Sequence, residues 1–376
     1  MDNLTHTLFA ITLARTPLGR AGRGTLGALV LASNAPDIDI VSAASGGVSY
    51  LAWHRGPTHG PLGVVGLSVI TAAIVWHGRR FLDARRGVND QPARSHPAPV
   101  EGDATFGMLV SVSMIGALLH VLMDLPTSYG VRLLSPFDWR WFAVDWLPII
   151  DIYVWMTLVV GLLFAEVARA SRRRIAAIVL MLIAADYGVR AVAHRQAVTL
   201  APRLFGPHLP ELCDPHRTTP AIDAWPRAGA VPAVPGKSCL VEIAAVPTFL
   251  SPFRWEVIAH LSNAYELHEV DVLDARFRRP ADSADAFWRR AVRYPNQWTP
   301  ATAVAATTRT GRVFLGFSRF PAARAVVDAA GVATVRWNDM RFVGSIYSLA
   351  ERRRDPFNVM VRIGADGRVF EETLGR

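Results

Sequence analysis

Long apolar runs separated by arginine-rich breaks fill the first half of the chain, and short alternating runs fill the second. Four apolar runs, at about 61–77, 105–125, 148–168 and 175–193, are close to the length a helix needs to cross a bilayer core. The first opens at Pro61, a residue suited to a first helical turn. Two earlier runs, about 3–14 and 24–35, are too short to span and predict a helical hairpin dipping into the membrane. Proline is dense from Pro202 to Pro235, which reads as a linker. Strand-like runs follow at 239–246, 256–261, 269–273, 313–317, 333–337, 341–343 and 359–363, with a helix near 281–293. The segment Ala365-Asp366-Gly367-Arg368 is a hairpin signal. The fold class expected is a mainly α multi-pass membrane bundle of about four transmembrane helices plus a short N-terminal helical hairpin. A β-rich extracytoplasmic C-terminal domain follows it. The expected boundaries are 1–195 for the membrane part, 196–238 for the linker and 239–376 for the β-rich domain.

Composition supports a mixed chain. Of 376 residues, 51% are hydrophobic and 19% charged, more apolar than an ordinary soluble enzyme and less so than a pure transporter. The net charge of +9 comes almost wholly from arginine. Arg15, Arg20 and Arg23 lie in the turn of the early hairpin. Arg79, Arg80, Arg85, Arg86 and Arg94 follow the first long run, and Arg169, Arg172, Arg173 and Arg174 the third. The positive-inside pattern puts these loops in the cytoplasm and everything after residue 194 outside it. No basic stripe is interleaved with aromatics, so nucleic acid is not an expected partner. Residues 1–14 lack the basic start of a cleavable signal, so insertion is expected from internal segments. Trp139, Trp141 and Trp146 read as an interfacial aromatic belt. Cys213 and Cys239 both lie in the tail, where a disulfide is permitted and two free thiols are equally compatible with the sequence.

The chemistry collects at the other ends of the apolar runs. His6, Asp37, Asp39, His54, His59, His120, Asp124 and Asp151 all fall at the extracytoplasmic end. Ionisable groups near membrane depth are expensive and are rarely left there without partners. Imidazole with carboxylate is a donor set for a divalent metal. His120 and Asp124, four apart on a helix, share a face. Asp37 and Asp39 repel one another unless a cation intervenes or one is protonated; alternatively they mark a helix-ending turn. His59 adjoins a helix start, with His54 and Arg55 just before it. Arg55 is either an anion-pocket residue or an interfacial charge. Asp151 is a ligand, a partner of a ligating histidine, or a helix N-terminal charge.

In this order the motifs resemble the YdjM-like family of bacterial inner-membrane proteins. The matching pieces are Met1-Asp2-Asn3-Leu4-Thr5-His6, Asn34-Ala35-Pro36-Asp37-Ile38-Asp39, His54-Arg55-Gly56-Pro57-Thr58-His59, His120 to Gly130, and Asp145-Trp146 to Asp151. They cover about the first 195 residues. In the tail, Ser251-Pro252-Phe253-Arg254-Trp255 and Asp339-Met340-Arg341-Phe342 are similar but less specific. Gly60 departs from the pattern, where a serine is expected after the second histidine. The resemblance implies a multi-pass inner-membrane protein, labelled LexA-binding and metal-dependent hydrolase.

The leading expectation is a membrane metallohydrolase acting on a lipid or membrane-proximal ester or phosphoester. One or two divalent ions, zinc foremost with manganese or magnesium as alternatives, would be held by Asp37, Asp39, His59, His120 and Asp124. His6 and His54 complete the candidate ligand set, and Arg55 and Asp151 are the candidate catalytic residues. The alternative is a membrane regulator or scaffold with a structural metal and a protein partner. A transporter is a third reading, opposed by ligands that gather at one face and line no path through the membrane.

Overall fold

The computed structural model describes residues 1–85, 102–205, 209–216, 220–226, 238–274, 292–343 and 357–375. Helix α1 (Asn3–Ala14) starts where the Asp2 carboxylate accepts the Thr5 amide hydrogen at 3.0 Å, a standard N-cap. Helix α2 (Thr25–Ala32) packs against it and leads, with a 41° bend, into a 3₁₀ helix, Ala35–Ser45. The short α3 (Gly47–Trp53) and the loop to His59 precede α4 (Pro61–Arg85), and α5 (Phe106–Asp124) opens on the Thr105 cap. The strand β1 (Trp141–Ala143), α6 (Ile152–Val167) and α7 (Arg172–Phe205) follow.

By length and composition α4, α5 and α7 are able to cross a membrane, with a fourth span if α2 and the 3₁₀ helix form one broken crossing. The run at 148–168 yields a shorter helix than expected, because Asp151 caps α6 through the amides of Tyr153 and Val154. Its 16 residues rise about 24 Å at about 1.5 Å each, short of a core about 30 Å thick. Leu163, Phe164, Met181 and Val192 stand exposed on α6 and α7, as lipid-facing positions do. Basic residues gather at the end of the bundle opposite His120 and Asp124. Arg15 pairs with Glu166 at 2.5 Å, Arg23 with Asp103 at 2.8 Å and also with Asp83, and Arg172 with Glu166 at 2.7 Å. Arg86 and Arg94 lie outside the described residues.

The C-terminal part is β-sheet-rich. Strand β2 (Asp223–Trp225) pairs antiparallel with β1, joining the tail to a loop of the helical half. One antiparallel sheet has the order β3-β4-β5-β6, from Leu240–Pro247, Arg254–Leu261, Ala264–Asp271 and Val292–Pro295. Helices α8 (Pro300–Ala306) and α9 (Arg309–Phe317) lead to a second antiparallel sheet, ordered β10-β9-β8-β7. Its strands are β7 (Pro321–Val327), β8 (Ala333–Asp339), β9 (Asn358–Ile363) and β10 (Val369–Leu374). Along β9 every second residue, Val359, Val361 and Ile363, is buried, as a half-covered sheet requires. The expected hairpin turn at 365–368 joins β9 to β10.

Two expected strands are corrected. Residues 313–317 belong to α9, which buries Thr310, Phe314 and Phe317 at helical spacing behind a Thr308 cap. Residues 341–343 form a turn after β8. The helix expected near 281–293 falls outside the described residues except for its last two positions, which belong to β6. Proline at 202 does not end α7, which runs on to Phe205 and packs Ala197, Ala201, Leu204 and Phe205 against β3, β4 and β5. Cys213 and Cys239 are joined in a disulfide.

The first sheet places Glu256 of β4 opposite Glu269 of β5. Burial, with Glu269 nearby, pushes the Glu256 carboxyl up to about 8. Below an ordinary glutamate pKa both folded and unfolded chains hold the proton. Above it the unfolded chain releases the proton while the folded one keeps it, so stability falls until the folded pKa is passed. Melting temperature in detergent is expected to drop between pH 5 and pH 8, and Glu256→Gln to flatten that drop. An unchanged slope in the variant would assign the drop to other groups.

Candidate metal centre

Four side chains from three segments meet at one end of the helical bundle. Helix α5 supplies His120 and Asp124, the 3₁₀ helix Asp37, and the loop before α4 His59. One donor atom from each lies within 4.8 Å of all the others, so the set can hold a metal ion. The two imidazole Nε2 atoms of His59 and His120 are 3.2 Å apart. Asp124 Oδ2 lies 3.5 Å from both, and Asp37 Oδ1 lies 3.5 Å from His59 and 3.6 Å from His120.

The groups around the two rings bear on which nitrogens carry protons. His120 Nδ1 donates to the Ser33 carbonyl at 2.8 Å, so the neutral ring presents a lone pair at Nε2. His59 Nδ1 faces Asp39 Oδ2 at 3.5 Å and Thr58 Oγ1 at 3.1 Å; with its proton on Nδ1, toward the Asp39 carboxylate, its Nε2 is an acceptor too. In those tautomers two lone pairs and two carboxylate oxygens converge. Acceptors so arranged repel unless a cation lies between them. Around a tetrahedral ion with bonds of about 2.0–2.1 Å, donors sit about 3.3–3.4 Å apart. The separations given above scatter about that figure.

Asp124 divides its two oxygens. Oδ1 pairs with the Met1 α-amino group and with Arg55 Nη2 at 3.0 Å. Oδ2 is buried with no hydrogen-bond partner among the described residues. Arg55 also donates through Nη1 to the Gly130 carbonyl at 2.9 Å and to Thr127 Oγ1 at 3.3 Å, and its guanidinium stacks over Tyr129. Its backbone, at φ 50°, is in the left-handed region, a cost on the order of 1–3 kcal/mol. The Asp39 carboxylate holds it there by accepting the Arg55 amide hydrogen at 2.6 Å.

The other candidates take different places. Asp39 and His54 form a layer behind His59, with His54 Nδ1 and Asp39 Oδ1 3.0 Å apart. His6 stacks on His120 with centroids 3.9 Å apart, lies 3.6 Å from Asp124 Oδ1, and has both ring nitrogens buried without a hydrogen-bond partner. Asp151 is not brought to the group. It caps α6 and pairs with the buried Arg190 of α7 at 2.5 Å.

Sequence reasoning did not reach the connections to the tail. Arg341 is buried and donates to the carbonyls of Ser128 (2.9 Å), Tyr129 (3.2 Å) and Phe317 (3.1 Å) while pairing with Asp339. Arg319 is buried among Asp145, Asp223 and Glu242. Tyr129, Trp141 and Leu51 share one core with Phe317, Trp337 and Phe342 of the tail. The Asp339-Met340-Arg341-Phe342 motif carried the only signal for this contact.

Gly60 also finds a reason. A Cβ there would lie 1.8 Å from the Ser135 carbonyl oxygen and 2.8 Å from Ser135 Oγ. Ser135 therefore occupies the space that a serine at 60 would need. Gly60→Ser is expected to cost about 1–3 kcal/mol through overpacking. Thermal unfolding in detergent checks this, and a variant as stable as the parent would contradict the close approach.

The family model described as YdjM inner membrane protein matches residues 1–197, the helical half and all four clustered side chains. A curated protein from Bacillus subtilis (strain 168), "Uncharacterized protein YfhP", is 26% identical over 165 residues, 42% of this chain and 44% of that protein. The chain thus spans less than half the length of that relative. No solved structure matches.

Proposed function

The chain belongs to the YdjM inner membrane protein family, and we propose that it is a membrane metal-dependent hydrolase acting on a lipid or membrane-proximal ester or phosphoester. The observation that carries this reading is the convergence of His59 Nε2, His120 Nε2, Asp37 and Asp124 Oδ2 on one point. These four would hold the ion, with zinc the best match to the donors. A divalent ion supplies Lewis acidity there, polarising an ester or phosphoryl oxygen and acidifying water. The chain's own groups do the rest. Asp39 orients His59, the Ser33 carbonyl orients His120, and Arg55 fixes Asp124. His6 is placed to take a proton at Nε2, which has no hydrogen-bond partner.

We place the site and the tail outside the cytoplasm in a multi-pass arrangement. The paired arginines at the opposite end of the bundle support this orientation, as does the disulfide, a bond of oxidising compartments.

A second reading, a membrane regulator or scaffold with a structural metal, draws on the closure of the donor set. Four protein ligands close a structural site, whereas a catalytic one keeps an open position. Two measurements decide. Metal content per chain is expected to be stoichiometric in wild type and lost in Asp37→Ala/His120→Ala; equal content in both would remove the site. Cobalt-substituted protein is then titrated with inorganic phosphate. A changed visible spectrum marks an open position, and an unchanged one favours the regulator.

A further inference from the structure

The cluster is enclosed on most sides. Beneath it lie α4 and α5 with their apolar core. Above it, Arg55 stacks on Tyr129 at 4.8 Å, and Tyr129 in turn packs against Phe317, Phe342 and Phe357 of the tail. The side chains of His59, His120 and Asp124 are 0% exposed, whereas Asp37 keeps 13%. The cluster is therefore reached past Asp37.

That edge is apolar. On the 3₁₀ helix, residues three apart eclipse one another, so Ile40 stands one turn from Asp37 on the same side. Ile38, Ile40 and Val41 are 55%, 61% and 68% exposed. Helix α1 is tied to Asn34, just before the 3₁₀ helix, by the Thr7 hydroxyl at 3.0 Å, and its Leu4 is half exposed. An exposed apolar rim is costly in water and favourable in lipid. The rim also continues α2, which is long and apolar enough to cross a membrane only together with this 3₁₀ helix.

We infer that the site opens sideways into the bilayer between α1 and the 3₁₀ helix, and that its substrate is a bilayer lipid. Such a lipid brings an ester or phosphoester head to Asp37 while its chains stay against Leu4, Ile40 and Val41. This inference rests on the hydrolase reading for the word substrate, but the opening itself does not.

The two cysteines of the chain are bonded to each other, so an added cysteine is the one free thiol. Ile40→Cys, labelled with an environment-sensitive fluorophore, is reconstituted in phosphatidylglycerol/phosphatidylethanolamine vesicles. Leu163→Cys on the exposed face of α6 and Ala330→Cys in the turn after β7 serve as lipid-facing and water-facing references. The position-40 label is expected to show blue-shifted emission and quenching by nitroxide-labelled phospholipid, as at 163, with little quenching by iodide. Iodide quenching like that at 330, with no effect of the nitroxide lipid, overturns the lateral opening. Metal content is measured on the same preparation. A bilayer-facing label on protein that never binds metal would overturn the substrate claim through the hydrolase reading, leaving the geometry of the opening standing.

Discussion

Asp124→Ala is expected to abolish stoichiometric metal binding and to destabilise the helical half by about 3–5 kcal/mol, the usual result of breaking a buried ion pair. Both effects come from one carboxylate. Its Oδ2 faces the imidazoles of His59 and His120, and its Oδ1 neutralises Arg55 and the Met1 amine. Removing it strands a buried guanidinium whose other partners are a neutral carbonyl and a hydroxyl. Asp124→Asn separates the two effects, since the amide oxygen still accepts from Arg55 while the anionic metal donor is gone. Metal content and thermal unfolding in detergent are the readouts. Full metal content in the alanine variant would show that the convergence of donors is packing alone.

Arg341→Ala should have a comparable effect on stability, about 3–5 kcal/mol, by leaving Asp339 buried without its cation. It also has a distant consequence. Arg341 grips the carbonyls of Ser128 and Tyr129, and the same loop offers Thr127 and Gly130 to Arg55, which holds Asp124. Loosening that loop is expected to weaken metal affinity by about 10–100-fold, as loss of outer-shell support does elsewhere. Arg341→Lys keeps the charge but lacks the planar fork, so it should recover part of the stability and little of the affinity. Unaltered metal affinity in a destabilised Arg341→Ala protein would mean that the tail does not position the site.

The helical half was legible because membrane helices declare themselves by length and hydropathy, and its end-to-end charge pattern placed His59, His120 and Asp124 on one side. Less visible was the division between Asp37, which faces the cluster, and Asp39, which stands behind His59. Two residues apart on a 3₁₀ helix they point in different directions, and the sequence reads naturally as a helix-ending turn. Asp151 looked like a site residue because it shares the membrane end. Its partner Arg190 is nearly forty positions away on α7, beyond the reach of a local pattern. In the tail, the inner strands and the edge strand β3 were found, while the edges β6, β7 and β10 were missed. Edge strands are half solvated and carry mixed side chains such as Arg324 or Glu371 and Glu372, which blur the period.

The roof over the cluster bears on how the protein is made. His59, His120 and Asp124 leave the ribosome well before Phe317, Phe342 and Phe357, which cover Tyr129 and through it Arg55. Ligands held in place by so distant a segment reach their final geometry only after that segment has been translated. Synthesis order alone makes this later segment a condition for the candidate site's final geometry.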